Sequence, residues 1–290
     1  MEKRKKTKII GEIGINFAYG EDKNLFIDNV KKLIDVAVVA GCDYVKFQKR
    51  NPEVCVPDNQ KQKPKTVPWN ECEITYLDYK IDSELGSEEY DIINEYCKEK
   101  GISWFASVWD KDSVDFMKYY KNENGEVIMK IPSALINDLE LCEYARQNCD
   151  ILIISTGMST EEEVDNCIDV CKPDVVMHTN STYPSPVEEL NLEYILWLKD
   201  KHKDKFEYGY SGHEFGLTTT VASVLLGAEW VERHITLDRS FWGSDQMASV
   251  EPQGLVKLVK SIRDVEKSLG GYGPRQVKGG ELVKMKSLRK

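Results

Sequence analysis

Two lysines and four serines recur along this chain at the ends of short apolar runs: Lys46 in DYVKFQ, Ser107 in ISWFAS, Lys130 and Ser133 in EVIMKIPS, Ser155 in ILIIST and Ser211 in FEYGYS. Fixed ammonium groups neutralise anionic oxygens and short hydroxyls donate to them, so a mouth that collects this set would suit a small phosphorylated carboxylate. Taken singly, each has a plainer use, because a serine after a strand often satisfies a turn and a strand-end lysine often snorkels outward. Glu12, Gln48 and Tyr183 occupy equivalent places and add a carboxylate, an amide and a phenol. His213 and His234 follow two successive runs. Two imidazoles there suit a borderline or first-row divalent ion, with water or substrate completing the shell; the alternative is a pair of hydrogen-bonded histidines in a polar cleft. Of the other histidines, His178 ends a run and is expected to position a loop, while His202 in KDKHKDK is expected in solvent.

The elements that must position these residues are eight runs with strand character, at 8–14, 43–48, 102–107, 126–131, 151–156, 174–179, 206–211 and 229–235. Amphipathic stretches such as LFIDNVKKLIDVAVVA (25–40) and EYDIINEYCKEK (89–100) lie between them. Alternating strands and helices imply parallel βα units, and eight of them predict a single-domain (β/α)8 TIM barrel over 1–290. In that fold the reactive face is the C-terminal end of the strands, where the polar residues named above fall. Gly41, Gly101 and Gly227 precede strands, where a left-handed helix cap is wanted. Segment 49–87, with four prolines and the aromatics Trp69, Tyr76 and Tyr79, interrupts the rhythm. It reads as a long loop after the second strand that covers one end of the barrel.

Composition narrows the function further. A formal net charge of -10 opposes nucleic-acid binding, and no apolar run is long enough to cross a bilayer. The basic start MEKRKKTKII is not followed by an apolar signal core, so the chain is expected in the cytoplasm. Its eight cysteines include no C-x-x-C pair and are expected as reduced, packed thiols, Cys167 and Cys171 included, although their spacing on a helix could also hold a metal.

The motifs GEIGIN (11–16), VKFQ (45–48), KIPSA (130–134), ISTGM (154–158), YPSP (183–186), SGHEFG (211–216), ERHITLD (232–238) and WGSDQMASVEP (242–252) occur in order on successive predicted strands. Together they resemble the N-acetylneuraminate (sialic acid) synthases and their relatives for legionaminic and pseudaminic acids. The resemblance implies condensation of phosphoenolpyruvate with an aldose such as N-acetylmannosamine. It places donor contacts on Lys46, Gln48, Ser107, Lys130, Ser133, Ser155 and Ser211, and sugar contacts on Glu12, Ser181, Tyr183 and Asp245. His213 and His234 become ligands of a divalent ion, expected to be Mn2+ with Mg2+ or Co2+ as substitutes, and the catalytic groups are Glu12, Lys46, Lys130 and Asp245.

The chain departs from the family where NFAYGED puts Phe17 in place of a histidine, Gly212 in place of an aspartate, Ser107 in place of a threonine and Ser181 in place of an asparagine. Many family members continue into a small antifreeze-like domain that reaches across a homodimer to the partner's sugar, and VKMKSLRK falls about where the linker to it would begin. Segment 49–87 or a separate lid protein is then expected to complete the acceptor side. Two other readings remain: a phosphoenolpyruvate-condensing barrel that uses a phosphorylated aldose, and a sugar-binding barrel without catalysis.

Overall fold

A computed structural model describes residues 5–19, 22–70, 72–271 and 273–289. Eight parallel strands close into a barrel. They are β1 (Lys8–Gly14), β2 (Tyr44–Lys49), β3 (Ser103–Val108), β4 (Ile128–Ile131), β5 (Ile151–Ser155), β6 (Val175–Thr179), β7 (Glu207–Gly212) and β8 (Trp230–His234). Each lies within one or two residues of a run read from the sequence, and β1 pairs with β8 to complete the ring.

Strand alternation explains how this barrel comes to hold chemistry at one end only. Ile10, Phe105, Ile128, Ile153, Val175, Met177 and Trp230 pack together inside the N-terminal half, with Tyr44 against them. Because side chains on a strand repeat their direction every second residue, the next inward positions along each strand are polar. Thus Ile10 is followed by Glu12, Tyr44 by Lys46, Phe105 by Ser107, Ile128 by Lys130, Ile153 by Ser155, and Trp230 by Glu232 and then His234. The apolar plug excludes water from below. The polar layer above it opens only at the C-terminal mouth.

The outward strand residues Ile9, Ile13, Val45, Phe47, Ala106, Met129, Ile131, Ile154 and Val231 join the larger core under the helices. Helix Lys23–Ala40 buries Phe26, Val30, Leu33, Ile34 and Ala37, the three-and-four spacing of one helical face. Burying a side chain such as Leu33 stabilises by roughly 1.5–3 kcal/mol, and its truncation to alanine would cost about 2–5 kcal/mol. This helix and Ser87–Lys100 end at Gly41 (φ 86°) and Gly101 (φ 68°), left-handed caps as the sequence predicts.

Segment 49–87 is an ordered cover rather than a bare loop. It forms two short helical turns, a two-residue β-ladder between Pro64–Lys65 and Ile74–Thr75, and helix Tyr76–Asp82 with a Thr75–Asp78 capping box. Trp69 and Tyr79 meet the edge of Trp242, in the loop after β8, at ring separations of 4.8 and 5.3 Å. Segment 49–87 is thereby fastened across the mouth.

All eight cysteines are free thiols. Cys167 lies 3.7 Å from Cys142 and 3.6 Å from Cys171, sulfur to sulfur, and all three are buried. Among the described residues no three His, Cys, Asp or Glu side chains converge to hold a metal ion, so this trio reads as packing. His202, expected in solvent, is instead buried against Phe206, 3.6 Å from Asp165. Its helix turns the ring inward while the flanking lysines stay in water.

Candidate active site

The floor of the mouth is a buried quartet of charges. Lys46 Nζ sits 2.8 Å from Glu12 Oε2 and 3.6 Å from Glu232 Oε1, and donates to Ser107 Oγ at 2.9 Å. Lys130 Nζ donates to Glu232 Oε1 at 2.9 Å. None of the four is more than 3% exposed. In the low dielectric of a barrel interior such charges persist only because they are paired. Burial alone would push Lys46 down, but Glu12 and Glu232 outweigh it and hold the ammonium above its ordinary value. Burial wins at Lys130, whose ammonium is lowered despite Glu232. The two carboxyls separate in the same way. Burial raises Glu12 above the usual carboxylate range, whereas at Glu232 the two lysines overcome burial and hold it down at about 2. One carboxyl is thus ready to accept a proton while the other stays ionised.

Glu232 is a site residue beyond those expected from the sequence, although it lies two residues before His234 and must share its inward face. Its presence changes the reading of the lysines, which are not bare cations awaiting an anion but partners in a neutralised floor. Above them the hydroxyls form a ring. Among the described residues Ser155 Oγ is buried with no hydrogen-bond partner, as is Glu232 Oε2. Ser211 Oγ donates to Glu232 Oε1 at 3.3 Å, and Ser133 Oγ accepts from the Gly157 amide at 3.1 Å. Ser107, Ser133, Ser155, Ser181, Ser211 and Gln48 all line one cavity of about 170 Å³ with the quartet, Tyr183 and both histidines. Gly157 is required there, since a Cβ on it would lie 2.1 Å from Ser181 Oγ and 2.7 Å from Ser133 Oγ. Gln48 reaches Glu12 Oε1 with its amide at 3.1 Å and accepts from Arg50.

At the rim, His213 and His234 bring their ring centres to 5.3 Å, and Tyr183 stacks on His213 at 4.0 Å. His213 Nδ1 lies 2.6 Å from the Asn180 carbonyl, which makes Nδ1 the protonated nitrogen and leaves Nε2 as the acceptor. Burial and the neighbouring His234 hold His213 at about 3, so it is neutral. Among the described residues His234 Nδ1 has no hydrogen-bond partner, and it lies 3.6 Å from Asp245 Oδ2. Burial would raise Asp245, but His234, Ser244 and Lys80 overcome it and keep the carboxylate ionised. Asp245 lies behind His234 and does not line the inner cavity. A neutral imidazole with a fixed tautomer, beside a second one with an unpartnered nitrogen, is a donor set that fits a divalent ion whose remaining ligands are water or substrate. Neither nitrogen could be assigned this state from sequence, because Asn180 lies on a different loop.

The glycine before His213 has a steric cause. A Cβ at Gly212 would meet Glu214 Oε2 at 2.5 Å and Tyr210 at 2.7 Å. Glu214 is fully buried there, bonded to Tyr210, Thr219, Thr220 and Arg233. The remaining histidine, His178, lies 2.6 Å from the Leu190 carbonyl through Nε2, which fastens the loop after β6.

With this geometry in view, the sequence of the NeuB family matches residues 33–273. The chain belongs to the NeuB family. It is 33% identical over 296 residues to the N,N'-diacetyllegionaminic acid synthase of Campylobacter jejuni, covering 99% of this chain and 84% of that one. It is 34% identical over 268 residues to the human N-acetylneuraminate-9-phosphate synthase, covering 90% of this chain and 71% of that one. Among solved structures it resembles the N-acetylneuraminic acid synthetase of Leptospira borgpetersenii in complex with citrate, with a TM-score of 0.81, 28% identity and coverage of 98% of this chain and 93% of that one. Membership thus extends over the whole barrel. Among the described residues no helix is long and apolar enough to cross a membrane.

Proposed function

We propose that this NeuB-family chain condenses phosphoenolpyruvate with the aldehyde of an amino sugar, N-acetylmannosamine or a relative, and releases inorganic phosphate. The observation that carries this reading is the buried quartet Glu12, Lys46, Lys130 and Glu232 beneath a ring of hydroxyls that includes an unpartnered Ser155. A phosphorylated carboxylate entering the ring draws Lys46 and Lys130 toward its oxygens, and Ser155 gains the partner it lacks. Glu232 stays ionised and keeps both ammonium groups in place, while Glu12, raised by burial, is the carboxylate of the floor readier to take up a proton during the reaction.

The donor's C3 then forms a bond to the acceptor's aldehyde carbon, the carbonyl π electrons pass to the aldehyde oxygen, which takes up a proton to become a hydroxyl, and C2 is left electron-poor. Water adds to C2, and the C2–O bond to phosphate breaks to give the ketone and inorganic phosphate. Glu12, held by Gln48 and Lys46, is the carboxyl placed to accept the proton of that water. His213 and His234 would hold a divalent ion, for which we propose Mn2+ with Mg2+ or Co2+ as substitutes; when bound it polarises the aldehyde. Tyr183 and Asp245 flank the histidines and would orient sugar hydroxyls. Segment 49–87 covers the acceptor side, and a homodimer partner or a lid protein would close what it leaves open.

The deciding experiment follows phosphate release from phosphoenolpyruvate with a panel of aldoses. Release that requires an amino sugar is expected. Release at equal rate without any sugar would make the chain a phosphatase and end this reading.

A further inference from the structure

The wall of the inner cavity holds a hydrogen-bond donor that no contact within the described residues uses. Trp109 follows Ser107 by two residues, just past the end of β3, so it stands on the same inward face one layer nearer the mouth. Its ring lines the cavity together with Ser107, Lys130 and Ser133. The indole Nε1 is buried, and among the described residues nothing accepts its hydrogen. Other indoles of the chain are satisfied internally: Trp104 donates to Asn94, Trp197 to Glu161 and Trp230 to Glu207. An indole N–H only donates, so the partner that Trp109 lacks must be an acceptor. A buried donor left unpaired destabilises the free protein, and a ligand that accepts from it recovers that loss.

The ring is held in place from several sides. Its backbone N–H donates to the Lys49 carbonyl at 3.2 Å, and the next residue, Asp110, accepts from the Asn51 amide and from Ser113. The Arg50 guanidinium lies 5.0 Å from the ring centre and is itself fixed by Glu84 at 2.7 Å and by the side-chain oxygen of Gln48. A donor held this way gives up little freedom when a ligand takes it up.

Place in the ring of strands decides which substrate Trp109 meets. Lys46, Ser107, Lys130 and Ser133 come from β2, β3, β4 and the turn after it, the arc of the barrel centred on Trp109. The histidines stand at the ends of β7 and β8, and β7 is four strands from β3 in the closed ring of eight, directly across the mouth. The phosphorylated carboxylate therefore lies beside the indole, and the aldehyde lies opposite. An uncharged donor there adds a contact without disturbing the charge balance that Glu12 and Glu232 give the two lysines.

We propose that Trp109 is a further binding residue for the donor substrate, and that its indole Nε1–H hydrogen-bonds an anionic oxygen of phosphoenolpyruvate. This rests on the synthase reading above and adds to it a contact outside the lysines and serines.

The test compares the wild type with Trp109→Phe, which keeps an aromatic ring beside Arg50 and removes the N–H. KM for phosphoenolpyruvate should rise roughly tenfold to a hundredfold, the scale of a hydrogen bond to a charged group. At the same time kcat and KM for N-acetylmannosamine should change less than about threefold, a split that a ring serving only to fill space would not produce. Binding without turnover gives a second reading by magnetic resonance of protein carrying nitrogen-labelled tryptophan. Phosphoenolpyruvate alone should move one indole N–H signal downfield, N-acetylmannosamine alone should leave it in place, and Trp109→Phe should lack it. Phosphate release that depends on an amino sugar, with KM for phosphoenolpyruvate unchanged in Trp109→Phe, would leave the synthase standing and overturn this inference. A rise confined to KM for the sugar would do the same. Should the variant fail to fold, the wild-type spectrum decides, and the inference falls if phosphoenolpyruvate moves no indole signal. A wild type that neither binds phosphoenolpyruvate nor releases phosphate with any aldose would overturn both.

Discussion

Replacing Glu232 by glutamine tests whether the floor is an electrostatic unit. The change keeps the size of the side chain and removes the one carboxylate that holds Lys130, 2.9 Å away, and that also faces Lys46 at 3.6 Å. Among the described residues Glu12 would then be the only carboxylate paired with the two buried ammonium groups. Breaking a buried pair from one side costs about 3–5 kcal/mol. The cost has a ceiling, because Lys130 can escape by losing its proton, and doing so at pH 7 from an ordinary value of 10.5 costs about 5 kcal/mol. At roughly 2 °C per kcal/mol for a chain of this length, the midpoint of thermal unfolding should fall by roughly 6–10 °C.

The pH dependence has a definite sign. In the variant the folded state holds Lys130 further below its unfolded value, so the unfolded state binds more protons and stability rises with pH. By pH 9 the same escape costs only about 2 kcal/mol, and much of the lost stability should return. Phosphoenolpyruvate supplies the missing negative charge, so it should raise the midpoint of Glu232→Gln more than that of the wild type. Circular dichroism melts at pH 7 and 9, with and without phosphoenolpyruvate, read all three effects. A variant as stable as the wild type, with no added dependence on pH or donor, would show that the quartet does not act as a unit.

Lys46→Ala should raise KM for phosphoenolpyruvate well above any change in KM for the sugar, and Glu12→Gln should instead lower kcat; steady-state kinetics with each substrate varied would separate the two. Chelation should abolish turnover, with manganese restoring it, and calorimetry should show binding of the ion weakened at least tenfold in His213→Ala and His234→Ala. Gly157→Ala should cut activity by tenfold or more, since its Cβ would displace Ser133 and Ser181, and a shift in both KM values would show it. On the acid side, burial would raise Glu207, but Lys5, Trp230 and Lys8 hold it at about 2. It therefore stabilises above the ordinary carboxylate range and loses that contribution as pH falls from about 4.5 toward 2. Glu207→Gln should flatten the acid limb of the stability profile over that window.

The barrel was legible in the sequence because its signals are local. Short β-branched runs followed by amphipathic stretches with three-and-four spacing report strands and helices without any knowledge of what they touch, and each of the eight strands fell where such a run predicts it. Strand alternation then puts Glu12, Lys46, Ser107, Lys130, Ser155 and Ser211 on one inner layer, so the polar mouth too follows from period two and closure of the ring. The same rule applied to WVERHI would have found Glu232 from His234. The signal for Glu232 is therefore present in the sequence.

What the sequence could not carry were relations between groups that meet only after closure. The pairing of Lys46 and Lys130 with two glutamates depends on β1, β2, β4 and β8 meeting across the barrel. So does the contrast between a raised Glu12 and a lowered Glu232, because each responds to charges contributed by other strands. His202 reads as surface from its lysine neighbours but is buried by the turn of its helix, and the tautomer of His213 is set by a carbonyl on another loop. Segment 49–87 is the clearest case. Its prolines and aromatics announce an ordered cover, but the contacts of Trp69 and Tyr79 with Trp242 decide that it lies against the loop after β8. Periodicity is a property of the chain itself, whereas charge compensation belongs to the space in which distant parts of the chain come together.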